Sequence, residues 1–395
     1  MPRFMLVVPV LLWLASAGGH SAWGQPRTPG SDTEIIERVP ARANDAQARE
    51  LAALRGAWRR NPGDPEAALA LVRHCIDAFH ADGDPRHLGC AQAALGAWWT
   101  HPDPPLALRV QRAVVLQFSH RFDKALADLD AVIGADAEDH EAWLWRAAIL
   151  MVQARYAEAR QACERLASLT TPLSALGCRA QVDAATGLAA AAAQTLRDAL
   201  ARETAVSAAE RLWVLTRLAE TEERRGRIAA AEAAYREALT IDARDVYLQA
   251  AYADFLLDQG RAAEVKTLLA GRERVDVLLL RLALASERLG DPRAAEQRRE
   301  LATRFDAARR LGDALHEKEE SRFVLALLGD AKRALALARS NFAVQREPAD
   351  ARVLLEAALS AKDKAAAEPA LRWLAESRIE APRLQALAEA LRQLP

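Results

Sequence analysis

The chain has 395 residues, of which 51% are hydrophobic, 27% charged and only 5% aromatic. This apolar content excludes a wholly disordered chain, because such chains lack the apolar surface that offsets the entropy of ordering. The 53 Lys and Arg residues are balanced by 54 Asp and Glu residues, so the basic excess of a typical nucleic-acid-binding domain is missing. We therefore expect helices rich in Ala, Leu, Arg and Glu, and no nucleic-acid partner.

Residues 1–24 have the pattern of a secretory signal peptide. Arg3 supplies the positive start, residues 4–19 form an uncharged and mostly apolar run, and Ala22-Trp23-Gly24 presents small residues to a signal peptidase. Cleavage is expected before Gln25. The sequence thus predicts export, to the periplasm if the source is a Gram-negative bacterium.

The alternative is an uncleaved anchor, which Pro9 and the shortness of the apolar run disfavour. The most apolar later stretch, residues 275–285, contains Asp276 and Arg281, so we expect no membrane span in the mature chain. Residues 25–44 hold three prolines and no sustained period, which predicts a flexible lead-in.

From residue 45 to residue 395, helical stretches alternate with short clusters of Gly, Pro and Asp. Proline is tolerated in the first turn of a helix and glycine just past its end, so each cluster marks the end of one helix and the start of the next. Equivalent residues recur at a spacing of 34: Phe122 and Tyr156, Ala125 and Ala159, Leu129 and Cys163, Gly226 and Gly260. The region is predicted to be a helical repeat.

The repeating unit resembles the tetratricopeptide repeat, in which W-x2-L-G-x2-Y leads to A-x3-F and then P. The residues that carry the resemblance are Trp143-x2-Arg146-Ala147-x2-Leu150 with Ala159-x3-Cys163 and Pro172, and Leu215-x2-Leu218-Ala219 with Gly226 and Ala231-x3-Tyr235. The resemblance implies an all-α fold, a right-handed α-solenoid of eight or nine stacked antiparallel helix pairs. It covers residues 45–395 and is clearest over 106–270.

The chain departs from the family pattern in three ways. Alanine replaces the glycine of the first helix, and the spacing drifts from 34 to 33, 39 and 30 in places. Charged residues stand at apolar positions, namely Arg112, Arg146 and Glu222. At the end of the chain, residues 381–394 place Leu384, Leu387, Leu391 and Leu394 on one helical face. We predict that this segment is a closing cap helix, and the alternative is a free amphipathic helix.

The four cysteines are predicted to form two disulfides. Cys75 and Cys90 are equally far from the turn at 81–85, and Cys163 and Cys178 are equally far from the turn at 169–172. Such residues sit at the same height on facing helices of an antiparallel pair, where Cα atoms come within the ~4.4–6.8 Å that a disulfide needs. The predicted bonds are Cys75–Cys90 and Cys163–Cys178, and the alternative is four buried thiols.

Histidines surround the first cysteine pair, which raises the alternative of a metal- or redox-handling protein. The residues concerned are His74, Cys75, His80, His87, Cys90 and His101. Their spacing matches no zinc signature, so no metal ligand and no cofactor are predicted. The chain also lacks H-E-x-x-H, G-x-S-x-G and G-x4-G-K-[ST] motifs, so no catalytic residue is predicted and the protein is expected not to be an enzyme.

In the family that the chain resembles, the first helix of each pair lines a concave groove. Carried over, this implies a partner-binding groove lined by Phe118, Leu144, Trp145, Met151, Trp213 and Tyr247. Charged residues flank these positions and are expected to orient a partner: Arg217, Glu220, Arg224, Asp254 and Asp258. The alternative is that the aromatic residues belong to the core.

The sequence as a whole predicts a non-enzymatic, exported scaffold that binds a protein or peptide in this groove. The resemblance places such proteins in envelope assembly or export systems. Besides the metal- or redox-handling protein, a glycan- or lipid-binding accessory stays open, since tryptophan faces stack on sugars as well as on side chains. The oligomeric state is not specified by the sequence.

Overall fold

The computed structural model describes Ser31, residues 46–310 and residues 316–394. The chain divides into two units, residues 1–50 and residues 51–395. The predicted signal peptide lies outside the described residues, and so does the predicted lead-in apart from Ser31. All of the described helices belong to the second unit, except that residues 46–50 of the first helix fall in the first unit.

The described part of the chain is built of α-helices and contains no strand. The helices are α1 (Ala46–Arg60), α2 (Pro65–Asp82), α3 (Arg86–Ala94), α4 (Leu106–Phe118), α5 (Phe122–Ala135), α6 (His140–Val152), α7 (Tyr156–Leu166), α8 (Pro172–Ala185), α9 (Ala189–Arg202), α10 (Ala208–Arg224), α11 (Ile228–Ile241), α12 (Val246–Asp258), α13 (Ala262–Leu268), α14 (Asp276–Leu289), α15 (Ala294–Arg310), α16 (Glu317–Phe323), α17 (Ala331–Val344), α18 (Pro348–Ala361), α19 (Glu368–Ser377) and α20 (Pro382–Arg392). A π-helical turn, Val324–Leu328, extends α16. None of the described helices has the combination of length and apolar character that crossing a bilayer requires.

Consecutive helices pack as antiparallel pairs, and each pair stacks on the next. α4 packs on α5, α6 on α7, α8 on α9 and α10 on α11, while α8 and α12 each also contact α10. A single pair cannot bury its apolar face alone, so stacking of neighbours is what creates the core. The all-α solenoid predicted from the repeat pattern is confirmed.

The turn inside each pair contains one residue with a left-handed backbone. These residues are Gly83, His120, Ala154, Gly187, Gly226, Gly260, Gly290, Gly329 and Lys362. Gly226 (φ 71°) and Gly260 (φ 74°) fill this position without strain because they lack a Cβ atom. The uneven spacing in the sequence is therefore the uneven spacing of these turns.

Side-chain caps define where many of the helices begin. Asp139 accepts a hydrogen bond from the Ala142 backbone N–H over 2.8 Å at the start of α6. Asp245 does the same for Leu248 over 2.7 Å at the start of α12. Each cap satisfies one of the backbone donors that the first turn of a helix leaves free.

Small residues hold the helices of a pair close together. Ala147, Ala159, Ala219 and Ala231 are each no more than 1% exposed, and the large ring of Tyr235 belongs to the same buried core as Ala219 and Ala231. This packing explains why alanine takes the place of the family's glycine, since both are small enough for close approach.

The charged residue at an apolar position of α4 is buried as an ion pair. Arg112 is 8% exposed, and its guanidinium donates two hydrogen bonds to Asp128 on α5, of 2.7 and 2.5 Å. It also donates to the backbone oxygens of Trp98 and His101 over 2.7 and 2.8 Å. A buried charge is tolerated when it is paired and fully hydrogen-bonded, as it is here.

The later helices continue the stack and also contact the concave side of the middle repeats. Asp254 of α12 receives hydrogen bonds from Arg322, 68 residues later, and Asp258 receives two from Arg352, 94 residues later. The Trp373 indole N–H donates to the Tyr156 hydroxyl oxygen over 2.9 Å. The concave face of α6 to α12 is therefore covered by the C-terminal helices.

The predicted cap segment is helix α20, which packs on α18. Leu384 and Leu391 are buried, while Leu387 and Leu394 are partly buried against the same core. Arg383 reaches Asp258 of α12 at 2.5 Å. This helix thus lies on the concave side beside α12.

Candidate functional site

A central cavity of about 440 Å³ lies between the first helices of the middle repeats and the C-terminal helices. One wall comes from α6, α8, α10 and α12, and the other from residues 346–352 and 381–384. Its polar lining is made up largely of five arginines and five acidic residues: Arg217, Arg224, Arg346, Arg352, Arg383, Glu220, Glu223, Asp254, Asp258 and Glu347. The concave groove predicted from the sequence is thus a partly covered chamber.

Two of the predicted groove residues line this cavity, Met151 and Tyr247. Met151 is nearly buried, but the Tyr247 side chain is 51% exposed. The Tyr247 hydroxyl donates a 2.6 Å hydrogen bond to Glu220, and the Arg217 guanidinium lies 4.6 Å from the ring centroid. The tyrosine ring is therefore held in one orientation while part of its surface stays uncovered.

The other four predicted residues lie outside the cavity wall. Phe118 and Trp145 are half-buried, with ring centroids 5.9 Å apart, and Phe118 also meets Phe79 of α2 at 5.0 Å. Leu144 packs, half-buried, on the core of α4 to α8.

Trp213 lies directly over Gly177 of α8. An added Cβ at Gly177 would stand 2.6 Å from the Trp213 ring, so the absence of a side chain there makes room for the indole. Trp213 therefore packs between α8 and α10 instead of facing the cavity.

All five flanking charges predicted to orient a partner do line the cavity, but four of them are occupied by the chain itself. Arg217 and Glu220 pair with each other over 3.1 Å, and Asp254 and Asp258 pair with arginines from later helices. Burial alone would raise the pKa of Asp254, yet the guanidinium groups of Arg281 and Arg322 hold it well below its usual value. Asp258 is shared by Arg352 and Arg383. These two carboxylates hold the C-terminal helices in place.

Glu223 differs from these paired acids. Burial is the main cause that raises the pKa of Glu223 to about 7. The nearby carboxylates of Asp258, Glu220 and Asp254 raise this pKa further, while the hydrogen bond from the Tyr235 hydroxyl lowers it. The Glu223 carboxyl group thus takes up a proton near neutral pH, and burial also raises the pKa of Glu347 in the same cavity.

The cysteines are placed as the two predicted pairs require. The Cα atoms are 6.0 Å apart in Cys75 and Cys90 and 5.5 Å apart in Cys163 and Cys178. Both separations are compatible with disulfides between facing helices of one pair.

The histidines near the first cysteine pair do not converge. The His80 ring packs edge-on against Phe118, with centroids 5.3 Å apart, and His101 packs on Trp98 at 5.9 Å. Among the described residues, no group of three or more His, Cys, Asp and Glu side chains is arranged to hold a metal ion. The alternative of a metal-handling protein gains no support from this geometry.

Several cavity residues that sequence reasoning missed come from the C-terminal part of the chain: Arg346, Glu347, Arg352, Arg383 and Leu384. Glu223 of α10 was missed as well. A local signal for them is weak, because each stands in a polar or amphipathic stretch. The one available clue is charge, since Asp254 and Asp258 are spaced four residues apart on one face of α12 and require cationic partners from elsewhere.

Comparison with protein families shows that residues 214–245 match the tetratricopeptide repeat. The match covers the second half of α10 and all of α11, so the chain contains a tetratricopeptide repeat where the sequence resemblance is clear. A search of curated protein sequences gave no match.

Several solved structures are similar to the chain at low identity. A tetratricopeptide repeat protein from Parabacteroides merdae ATCC 43184 is 16% identical, with 72% of this chain and 98% of that chain covered and a TM-score of 0.35. The human IFIT1 dimer with PPP-AAAA is 13% identical over 88% of this chain and 87% of that chain, with a TM-score of 0.47. Yeast Tom70 is 12% identical over 88% and 85%, with a TM-score of 0.42.

Proposed function

We propose that the protein is a non-enzymatic scaffold that binds a protein or peptide partner in the central cavity. Tetratricopeptide repeats generally mediate protein binding, and this chain contains one at residues 214–245. The observation that carries the proposal is the Tyr247 ring, which is fixed by Arg217 and Glu220 and yet half exposed inside a cavity. An aromatic ring that is already ordered loses little entropy when a partner covers it.

The size of the cavity favours a short segment over a folded domain. About 440 Å³ is within the range of pockets that enclose a small ligand, and the C-terminal helices restrict access to the concave wall. A peptide that inserts one or a few side chains fits this space. Its backbone amides can pair with the acidic and basic groups that line the walls.

Arg224 is the charged group in this cavity that is best placed to receive a partner. It makes no ion pair with any described residue, and its Nε atom is buried without a hydrogen-bond partner. A buried donor left unpaired costs free energy, so an acidic or carbonyl group of the partner would be stabilised next to it.

We also propose that the chain is exported and works in the envelope, within an assembly or export system. The support is the signal-like pattern of residues 1–24 and the two cysteine pairs with disulfide-compatible spacing, since disulfides persist in oxidising compartments. Fractionation of the source cells, with N-terminal sequencing of the recovered protein, tests this. An N-terminus at Gln25 is expected, and recovery of the full-length chain from the cytosol would overturn it.

Selection of binding peptides tests the main proposal. A display library is selected on the immobilised chain lacking residues 1–24, and the dissociation constants of the selected peptides are measured by calorimetry. Tyr247→Ala is expected to weaken binding by about tenfold or more, as loss of an aromatic anchor does. The matched control is Leu289→Ala, because Leu289 is 47% exposed and is not among the cavity residues.

Equal weakening by both variants, or none by Tyr247→Ala, would contradict a peptide site at the cavity. An oligosaccharide array screened with the same proteins separates the remaining alternative. Glycan binding that depends on Tyr247 without any peptide binding would replace the scaffold with a glycan-binding accessory.

A further inference from the structure

A second cavity, of about 660 Å³, lies beside the central one and is lined mainly by the C-terminal helices. α17 and α19 contribute most of its walls, and the turns after α6 and α8 close it through Ala154 and Thr186. We call it the basic cavity, because Arg339, Arg346, Arg372 and Arg378 line it and Glu376 is its one acidic residue within the described chain.

The arginines of the basic cavity are exposed and have no close carboxylate partner within the described residues. Arg352 in the central cavity and Arg322 on α16 are each paired with a carboxylate at 2.7–2.9 Å. Arg339, Arg346 and Arg378 form no ion pair with any residue that the structure describes, and Arg372 reaches Glu368 only at 3.6 Å. Like charges facing one cavity repel each other unless an anion lies between them.

The positive character continues into the wall between the two cavities. Tyr156 and Arg346 line both of them, and Arg224 lines the central cavity with an unpartnered, buried Nε atom. The Tyr156 hydroxyl oxygen accepts the hydrogen bond from the Trp373 indole, which leaves its own proton available to an acceptor in the cavity. Donors thus surround the space from several sides.

The backbone at Arg378 supplies a second, independent observation. Arg378 has a left-handed backbone (φ 56°) at the end of α19. It packs against Gly187, where an added Cβ atom would stand 3.0 Å from the Arg378 carbonyl oxygen. A glycine at position 378 would adopt this left-handed conformation without strain. Arg378 thus places a long cationic side chain at the rim of the cavity, in a position where glycine would be free of strain.

We propose that the basic cavity binds a ligand that carries phosphate groups. Guanidinium groups form planar, bidentate hydrogen bonds with phosphate oxygens, and several arginines around one cavity are suited to a ligand with more than one phosphate. Phe342 and Trp373 supply an apolar part of the lining for the rest of the ligand. Arg339 and Arg378 line only the basic cavity and Tyr247 lines only the central one, so either proposal can fail without the other.

Calorimetry with sodium tripolyphosphate tests the site, and co-sedimentation with phosphatidylcholine vesicles containing phosphatidylglycerol tests a lipid headgroup as the source of the phosphate. Saturable binding of either probe is expected. The probe that binds shows whether the phosphate belongs to a free ligand or to a lipid headgroup. Arg378→Gly and Arg339→Gln are each expected to weaken it by about tenfold, the effect of one lost charged hydrogen bond. Arg378→Gly also relieves the backbone, so its melting temperature is expected to be no lower than that of the wild type.

The matched control is Arg299→Gln, which removes the same charge from an exposed position on α15. Its affinity for the probe is expected to equal that of the wild type. No saturable binding in either arm, or equal weakening by Arg299→Gln and Arg378→Gly, would overturn the proposal, because the attraction would then be absent or due to net charge alone.

Discussion

The Trp373 indole donates its N–H to the hydroxyl oxygen of Tyr156 across 2.9 Å, although 217 residues separate the two in the chain. Close by, the backbone N–H of Arg346 donates to the Val152 carbonyl oxygen over 2.8 Å. These contacts fasten the C-terminal helices to the turn between α6 and α7. They show that the C-terminal helices reach across the concave side and partly cover it.

The ion pairs of Asp258 are expected to hold the C-terminal helices in place. Asp258→Ala removes two hydrogen bonds from Arg352 and the contact with Arg383 and leaves both arginines to share Glu356. The free energy of unfolding should fall by about 2–3 kcal/mol, measured by urea unfolding.

The control for this prediction is Asp130→Ala, which breaks an exposed pair with Arg146. Exposed pairs contribute about 0.2–1 kcal/mol, so this variant should unfold at nearly the same urea concentration as the wild type. A loss at Asp258 no larger than the loss at Asp130 would mean that the pairs contribute little.

Substitution at Gly177 should destabilise the contact between α8 and α10. A Cβ there would stand 2.6 Å from the Trp213 ring, so Gly177→Ala must displace the indole and should cost about 1–3 kcal/mol, as overpacking does. Gly134→Ala is the opposite case, because a Cβ on Gly134 meets nothing within 4 Å and alanine is the better helix former. It should add about 0.5–1 kcal/mol. Thermal unfolding of both variants would reveal the opposite signs, and equal shifts would be at odds with this packing.

The proton on Glu223 should make stability depend on pH. Its pKa is about 7 in the folded protein against an ordinary value of 4.5, so the folded state holds this proton more tightly than the unfolded chain. Its contribution is therefore present below pH 4.5 and is lost as the pH rises through about 7.

The variant that tests this is Glu223→Gln, which resembles the protonated side chain at every pH. It should match the wild type near pH 4.5 and be more stable by about 1–2 kcal/mol at pH 8. Unfolding measured in urea at several pH values gives both profiles. Profiles that stay parallel from pH 4.5 to pH 8 would show that Glu223 does not carry the effect.

The two cysteine pairs should be disulfide-bonded in protein from an oxidising compartment. The mass of the intact, unreduced protein is then lower by four hydrogens than that of the reduced chain, and a digest without reductant should contain linked peptides with Cys75–Cys90 and Cys163–Cys178. Each bond closes a loop of 15 residues and should stabilise the fold by about 3 kcal/mol. Four alkylatable thiols in the unreduced protein would refute the pairing.

The sequence was informative wherever structure depends on neighbouring residues. Gly226 and Gly260 mark turns because the turn needs a left-handed residue, and Ala147 and Ala159 mark a helix pair because close approach needs small side chains. The placement of Cys163 near Cys178 follows from the same local geometry of one antiparallel pair. Met151 and Tyr247 could be assigned to the concave side, because they stand on the first helices of their pairs.

The closure of the concave face could not be predicted, since it depends on curvature summed over many repeats. Spacings of 39 residues from Gly187 to Gly226 and 30 from Gly260 to Gly290 alter that curvature. The summed curvature cannot be read from the sequence of any single repeat. Asp258 was accordingly assigned to a partner, whereas the structure pairs it with Arg352 and Arg383. The family resemblance places Trp213 in the groove, whereas the structure packs it on Gly177. A glycine has no side chain that could indicate this contact in the sequence.

The closure has a consequence for how the molecule assembles. In an ordinary solenoid each repeat contacts only its neighbours, so folding can spread from any point. Here Tyr156 and Asp258 belong to helices that are synthesised before those of Trp373 and Arg383. During translation the concave wall of α6 to α12 is therefore open until α19 and α20 emerge, and its closure is a long-range step that loop entropy makes slow. The nascent protein thus presents its carboxylates and its tyrosine to the surroundings for an interval that the finished protein does not have.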